Sequence, residues 1–203
     1  MLEIRENNFK KLDSNHSYKL NEIPMSTIKE QYKKKVIPAM KDRFSYKNIM
    51  AVPKIEKVVL NVGIGKIVKE EKMVEKIRND IAKITGQIPA FRKAKKSIAG
   101  FKLREGTNVG LIATLRGKRM YDFIERLIFV ALPRSRDFRG ISAESLDNSG
   151  NLNIGIKEQN IFPEVSYESS RDIFGFQITV TTTAKTKEEG LELLKQIGFP
   201  IKT

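Results

Sequence analysis

Between Lys54 and Gly65 the chain reads KIEKVVLNVGIG, and its side chains alternate in character from one residue to the next. In an extended chain Val58, Leu60 and Val62 point one way while Lys57, Val59 and Asn61 point the other, because successive strand side chains face opposite sides. Such a segment calls for a strand with one buried and one uncovered face. The pattern returns from Val109 to Arg116, where Val109, Leu111, Ala113 and Leu115 oppose Ile112, Thr114 and Arg116. A last strand from Phe176 to Thr183 sets Phe176, Ile178 and Val180 inward and Thr179, Thr181 and Thr183 outward.

Between these strands the period changes to that of helices. Ile28, Tyr32, Val36 and Met40 recur on one face after a capping box at Thr27 and Glu30, and Pro38 is expected to bend this helix or end it early. A second helix runs from about Glu70 to Thr85 on Met73, Ile77, Ile81 and Ile84, stopped by Gly86. The main core helix spans about Lys118 to Leu132 through Met120, Phe123, Ile124, Leu127 and Ile128, and Pro133 is expected to end it. A last helix is capped by Thr186 and Glu189, buries Leu191, Leu194 and Ile197, and closes at Gly198 and Pro200. The segment from Arg136 to Asn151, rich in turn formers, reads as loop or hairpin. Together these elements predict an α+β fold: an antiparallel sheet with helices packed on one face, the other face free, and a long basic loop. Residues Met1 to Met25, polar and balanced in charge, read as an N-terminal extension ahead of one domain over 26–203.

Charge is spread unevenly over this plan. The chain carries 38 Lys and Arg against 24 Asp and Glu, a net +14. From Pro89 to Arg119 nine cations (Arg92, Lys93, Lys95, Lys96, Lys102, Arg104, Arg116, Lys118 and Arg119) face Glu105 alone, whereas the stretch after Glu144 is net acidic. A basic centre of this kind favours a polyanion. The loop from Ala94 to Asn108 interleaves its cations with apolar residues, and Phe91, Ile98, Phe101 and Leu103 suit contact with sugars and bases. They would equally suit a small satellite core under the loop. Lys57 and Asn61 on one strand and Thr114 and Arg116 on another share the side away from the core if the two strands share a sheet. An ordinary solvent face gives the same pattern.

Catalytic and membrane readings have little to stand on. Cysteine is absent and His16 is the lone histidine, so no thiolate or multi-histidine metal site can be assembled, and neither metal nor cofactor is expected. Gly63-Ile64-Gly65 follows a strand and precedes a helix, but the third glycine of a dinucleotide turn is missing and Ile67 stands where a P-loop needs Ser or Thr. A basic enzyme acting on RNA would need a carboxylate cluster or an activated nucleophile, and none is legible. No apolar run reaches the length of a membrane span, and the start of the chain resembles neither a secretory signal nor a transit peptide, so a cytoplasmic address is expected and no membrane partner.

The same residues carry a family resemblance. VVLNVGIG (Val58 to Gly65), GQIP (Gly86 to Pro89), KSIAGFKLREG (Lys96 to Gly106), TLRG (Thr114 to Gly117), ERLI (Glu125 to Ile128), RDFRGIS (Arg136 to Ser142), IFPE (Ile161 to Glu164) and TVTTTAKT (Thr179 to Thr186) resemble, in order and spacing, the bacterial-type large-subunit ribosomal protein five family. The resemblance covers about Ser26 to Thr203. It implies a structural, non-enzymatic constituent of the large ribosomal subunit that helps attach 5S rRNA in the central protuberance, beside 23S rRNA and neighbouring large-subunit proteins. It implies rRNA binding by Lys57, Asn61, Gln87, Thr114 and Arg116. The loop residues Lys96, Ser97, Lys102 and Arg104 would contact transfer RNA in the peptidyl site. Arg136, Asp137, Arg139, Asn148 and Asn151 would contribute to an intersubunit bridge with small-subunit protein thirteen. The chain departs from the family pattern in its extension, in Ile112 where a basic residue is common, and at Asn148-Ser149-Gly150 in place of a Gly- and Arg-rich turn.

Overall fold

The computed structural model describes residues 28–65, 67–68, 70–101, 103–136, 138–165 and 173–202. The expected extension, His16, Thr27 of the capping box, Lys102 and Asp137 lie outside the described residues. Helix α1 (residues 28–44) leads into strand β1 (Ile55–Gly63), helix α2 (Glu71–Thr85), strand β2 (Ala90–Lys93) and strand β3 (Asn108–Leu115). Helix α3 (residues 117–134), strand β4 (Leu152–Ile156), strand β5 (Phe176–Thr182) and helix α4 (Lys187–Ile197) complete the order. All strand pairs are antiparallel, in the order β2-β3-β1-β5-β4. The expected α+β architecture is thus an open five-stranded sheet, and β4 is a strand that the sequence reading did not foresee.

The sheet's inner face holds Val58, Leu60, Val62, Leu111, Ala113, Leu115, Leu152, Ile154, Phe176, Ile178 and Val180, all buried. Against it lie Met120, Phe123, Ile124 and Leu127 of α3, Ile77, Ile81 and Ile84 of α2, and Leu193, Leu194 and Ile197 of α4, within one continuous apolar cluster. The Phe123 and Phe162 rings stack at 5.9 Å between centroids, and Phe162 meets Phe176 at 6.0 Å. Truncating so buried a ring as Phe123 to alanine costs about 3–5 kcal/mol.

Pro38 does not end its helix, and Pro133 lies in the last turn of its own. Helix α1 runs through Pro38 to Phe44, and α3 runs past Pro133 to Arg134. In both, a wide π-type turn precedes the ring by the same spacing, Tyr32–Val36 before Pro38 and Leu127–Ala131 before Pro133. The Ile37 N–H donates to the Tyr32 carbonyl, and the Leu132 N–H to the Leu127 carbonyl, one residue further back than in an α-helix. Proline breaks a helix by lacking a donor and by pressing on the carbonyl four residues back. Opening the preceding turn by one residue relieves that pressure, so the apolar stripe continues into Met40 and Leu132, both buried.

Candidate nucleic-acid interface

The register fixes what the outer face of the sheet displays. Val59 lies between Thr114 on β3 and Thr179 on β5, and Asn61 lies between Ile112 and Gln177. Lys57 partners Thr181, and Asn153 on β4 continues the row of Thr179. Arg116 follows Leu115, whose partner is Val58, and so emerges beside Lys57. Lys57, Asn61, Thr114 and Arg116 therefore share one face; Asn61, Thr114 and Arg116 are exposed and Lys57 is half-buried.

Gln87 reaches the edge of this face by another route. Helix α2 ends at Gly86, whose φ of +70° only glycine adopts without strain, and the Arg126 guanidinium donates to the Ile84 carbonyl at 2.9 Å while holding the Glu164 carboxylate at 2.6 Å. The Gln87 side-chain amide then donates to the Thr114 carbonyl at 2.9 Å, tying the helix end to β3.

Other side chains share this face beyond the five rRNA-binding candidates. A bulge between Ile55 and Lys57 inserts Glu56, which is exposed and accepts from Arg116 at 3.3 Å in an ion pair. Arg92 on β2 partners Gly110 and stands on the outer face beside Ala90 and Ile112. On the far side Thr179 Oγ1 donates to Asn153 Oδ1 at 2.7 Å, and Gln177 Nε2 donates to the same oxygen at 3.4 Å.

The basic loop is a built hairpin rising from β2 and β3. At its base the Ala94 N–H donates to the Thr107 carbonyl and the Gly106 N–H to the Ala94 carbonyl, Ile98 and Leu103 pair near its tip, and the Ser97 hydroxyl accepts the Glu105 N–H at 3.0 Å. Its apolar residues do not tuck under: Phe101 is 75% exposed and Ile98 49%. Lys96, Ser97 and Arg104 are exposed around them. Phe91 turns out not to belong to this display, because it partners Leu111 on the helix side of the sheet, 5.4 Å from the Arg78 guanidinium.

The third group of residues lies beyond α3. Arg136 and Arg139 are exposed, and Arg136 lines a groove with Arg134, Phe138 and Lys157. Asn148 is exposed in the turn, but Asn151 is committed to the fold. Its amide donates to Asp147 Oδ2 at 2.8 Å and its carbonyl accepts the Thr182 N–H at 2.9 Å.

A sheet with one side packed by helices, the other studded with cations and amides, and a basic hairpin at its margin defines a class: a small basic α+β protein shaped to lie against a polyanion. Comparison with known proteins narrows the class. The family description "Ribosomal protein L5" matches residues 48–104, and the description of the C-terminus of that same ribosomal family matches residues 108–201. The large ribosomal subunit protein uL5 of Syntrophomonas wolfei is 52% identical over 178 residues, 88% of this chain and 100% of its own. That of Halothermothrix orenii is 51% identical over 176 residues, covering 87% and 98%, and that of Streptococcus thermophilus 50% over 173, covering 85% and 96%. The chain belongs to the uL5 family of large ribosomal subunit proteins, which are structural and not enzymes. Its cytoplasmic address follows from that membership.

Proposed function

We propose that the open sheet face binds 5S rRNA and helps attach it to the large subunit, with Lys57, Asn61, Gln87, Thr114 and Arg116 as its contacts. The observation that carries the reading is the convergence of four of these side chains on one face that no helix of the described residues covers, with Gln87 locked to its edge. Lys57 and Arg116 release counterions from RNA phosphates and supply affinity, while Asn61 and Thr114 fix the register through hydrogen bonds that are costly to leave unmade once buried. The exposed hairpin contacts transfer RNA in the peptidyl site through Lys96, Ser97 and Arg104, which surround Phe101, and through Lys102 of the same loop sequence. The region from Arg136 to Asn151 contributes to a bridge with small-subunit protein thirteen, carried by Arg136, Asp137, Arg139 and Asn148, with Asn151 shaping the turn.

Salt dependence of 5S rRNA binding tests the face. If about six phosphates are neutralised, the logarithm of the binding constant falls with that of salt at a slope of roughly −4 to −5. Arg116→Ala flattens the slope, and Asn61→Ala weakens binding with the slope kept. Unaltered affinity in both variants would refute the assignment.

A further inference from the structure

The outer face is divided in its chemistry. Its cations, Arg92, Lys57 and Arg116, stand on β2, on β1 and at the end of β3. The outward positions of β5 and β4 are Gln177, Thr179, Thr181, Asn153 and Gly155, and none carries a charge. This half can add nothing by counterion release, yet its polar groups are not loose.

We infer that Asn153, Gln177 and Thr179 form a preset array that reads ribose 2′-hydroxyls and makes the face selective for RNA over DNA. The inference rests on the reading of this face as an RNA interface. Asn153 Oδ1 accepts from both Thr179 Oγ1 and Gln177 Nε2. The short Thr179 bond, with the longer one from Gln177 on the same oxygen, orients the amide so that the Asn153 Nδ2 protons point away from both neighbours. Thr179 spends its single proton on Asn153, which leaves its oxygen as an acceptor only. The Gln177 carbonyl oxygen remains as a second acceptor. The result is one donor flanked by two acceptors, held by the two hydrogen bonds that Asn153 accepts.

A 2′-hydroxyl both donates and accepts, and it lines the wide, shallow minor groove of A-form RNA; deoxyribose offers neither function. Val59 is the neighbour of Thr179 on β1, and Gly155, opposite Gln177, leaves open space for a groove to approach. Cations on one half and neutral donors and acceptors on the other correspond to phosphates and sugars along one duplex edge.

The experiment compares the full-length protein with Thr179→Val and Asn153→Ala, each checked for an unchanged unfolding temperature. Probes are 5S rRNA and a DNA of the same sequence, titrated over a range of salt. Thr179→Val is expected to lower 5S rRNA affinity about tenfold, leave DNA affinity and the RNA salt slope unchanged, and so reduce the RNA-to-DNA ratio by the same factor. Asn153→Ala is expected to do the same. If Arg116→Ala still flattens the slope while both variants keep the full ratio, the array is overturned and the RNA-binding face stands. If the unaltered protein does not bind 5S rRNA, the reading of the face falls and the array with it.

Discussion

Gly150 and Gly190 pack backbone to backbone, so that a β-carbon placed on Gly150 would stand 2.9 Å from the Gly190 α-carbon and 3.0 Å from Ala184 Cβ. A β-carbon on Gly190 would collide directly with the Gly150 backbone. Helix α4 is docked by this contact onto the turn that starts β4, and Gly150 also needs its φ of +75°. Gly190→Ala is expected to destabilise the protein by about 2–3 kcal/mol, since the crowding atoms are main chain and cannot swing aside. Thermal or urea unfolding measures it.

Glu56 sits on the margin of a face otherwise provided with cations, 3.3 Å from Arg116. Glu56→Gln frees the guanidinium for phosphate and removes a repulsive charge. Binding of 5S rRNA is expected to tighten severalfold at low salt and its salt slope to steepen by about one unit or less. A filter-binding series in potassium chloride checks both.

Phe101 is 75% exposed and supports no core. Phe101→Ala should leave unfolding free energy unchanged within about 0.5 kcal/mol, as is usual for surface substitutions. If the hairpin meets transfer RNA, ribosomes carrying the variant lose peptidyl-site affinity by an amount in the range of aromatic stacking, about 1–3 kcal/mol.

The pH dependence of stability has two limbs with opposite signs. Burial alone would raise the Asp147 and Glu189 carboxyls, but hydrogen bonds outweigh it, from the Asn151 amide and the Asn151 and Ser149 N–H groups to Asp147, and from the Tyr46 hydroxyl and the Lys185 and Thr186 N–H groups to Glu189. Both are held below the ordinary carboxylate range, so the unfolded chain takes up protons first on acidification. Their contribution is present above about pH 4 and lost as pH falls through the folded values. Tyr46 is pushed up, first by burial and then by its bond to Glu189, so its contribution is intact below about pH 10 and is lost above it. Urea midpoints should therefore fall at both extremes, and Asp147→Asn should flatten the acid limb.

Much of the architecture was legible because alternation and helical period are local. The two faces of β1, β3 and β5 follow from their own residues, as does the capped α4, where Thr186 Oγ1 accepts the Glu189 N–H at 3.3 Å. What escaped depends on parity or distance. Simple alternation assigns Glu56 to the side of Val58, and only the bulge after Ile55 brings it out to Arg116. Strand β4 alternates through Leu152, Ile154 and Ile156, but its Asn and Gly residues are poor strand formers and sit after a turn. Gln87 belongs to no strand; its place comes from Arg126, far along the chain, holding the end of α2. Pro38 does not end α1, because the wide turn that accommodates it leaves no mark in the sequence.

Helices close the core entirely from one side, and the opposite side of the sheet keeps little that is oily beyond Val59 and Ile112. A partner arriving there meets a sheet whose apolar core, among the described residues, is already packed on the other side. On the protein's part, association is then the docking of a rigid plate, with a small heat-capacity change and a speed governed by electrostatic attraction rather than by folding.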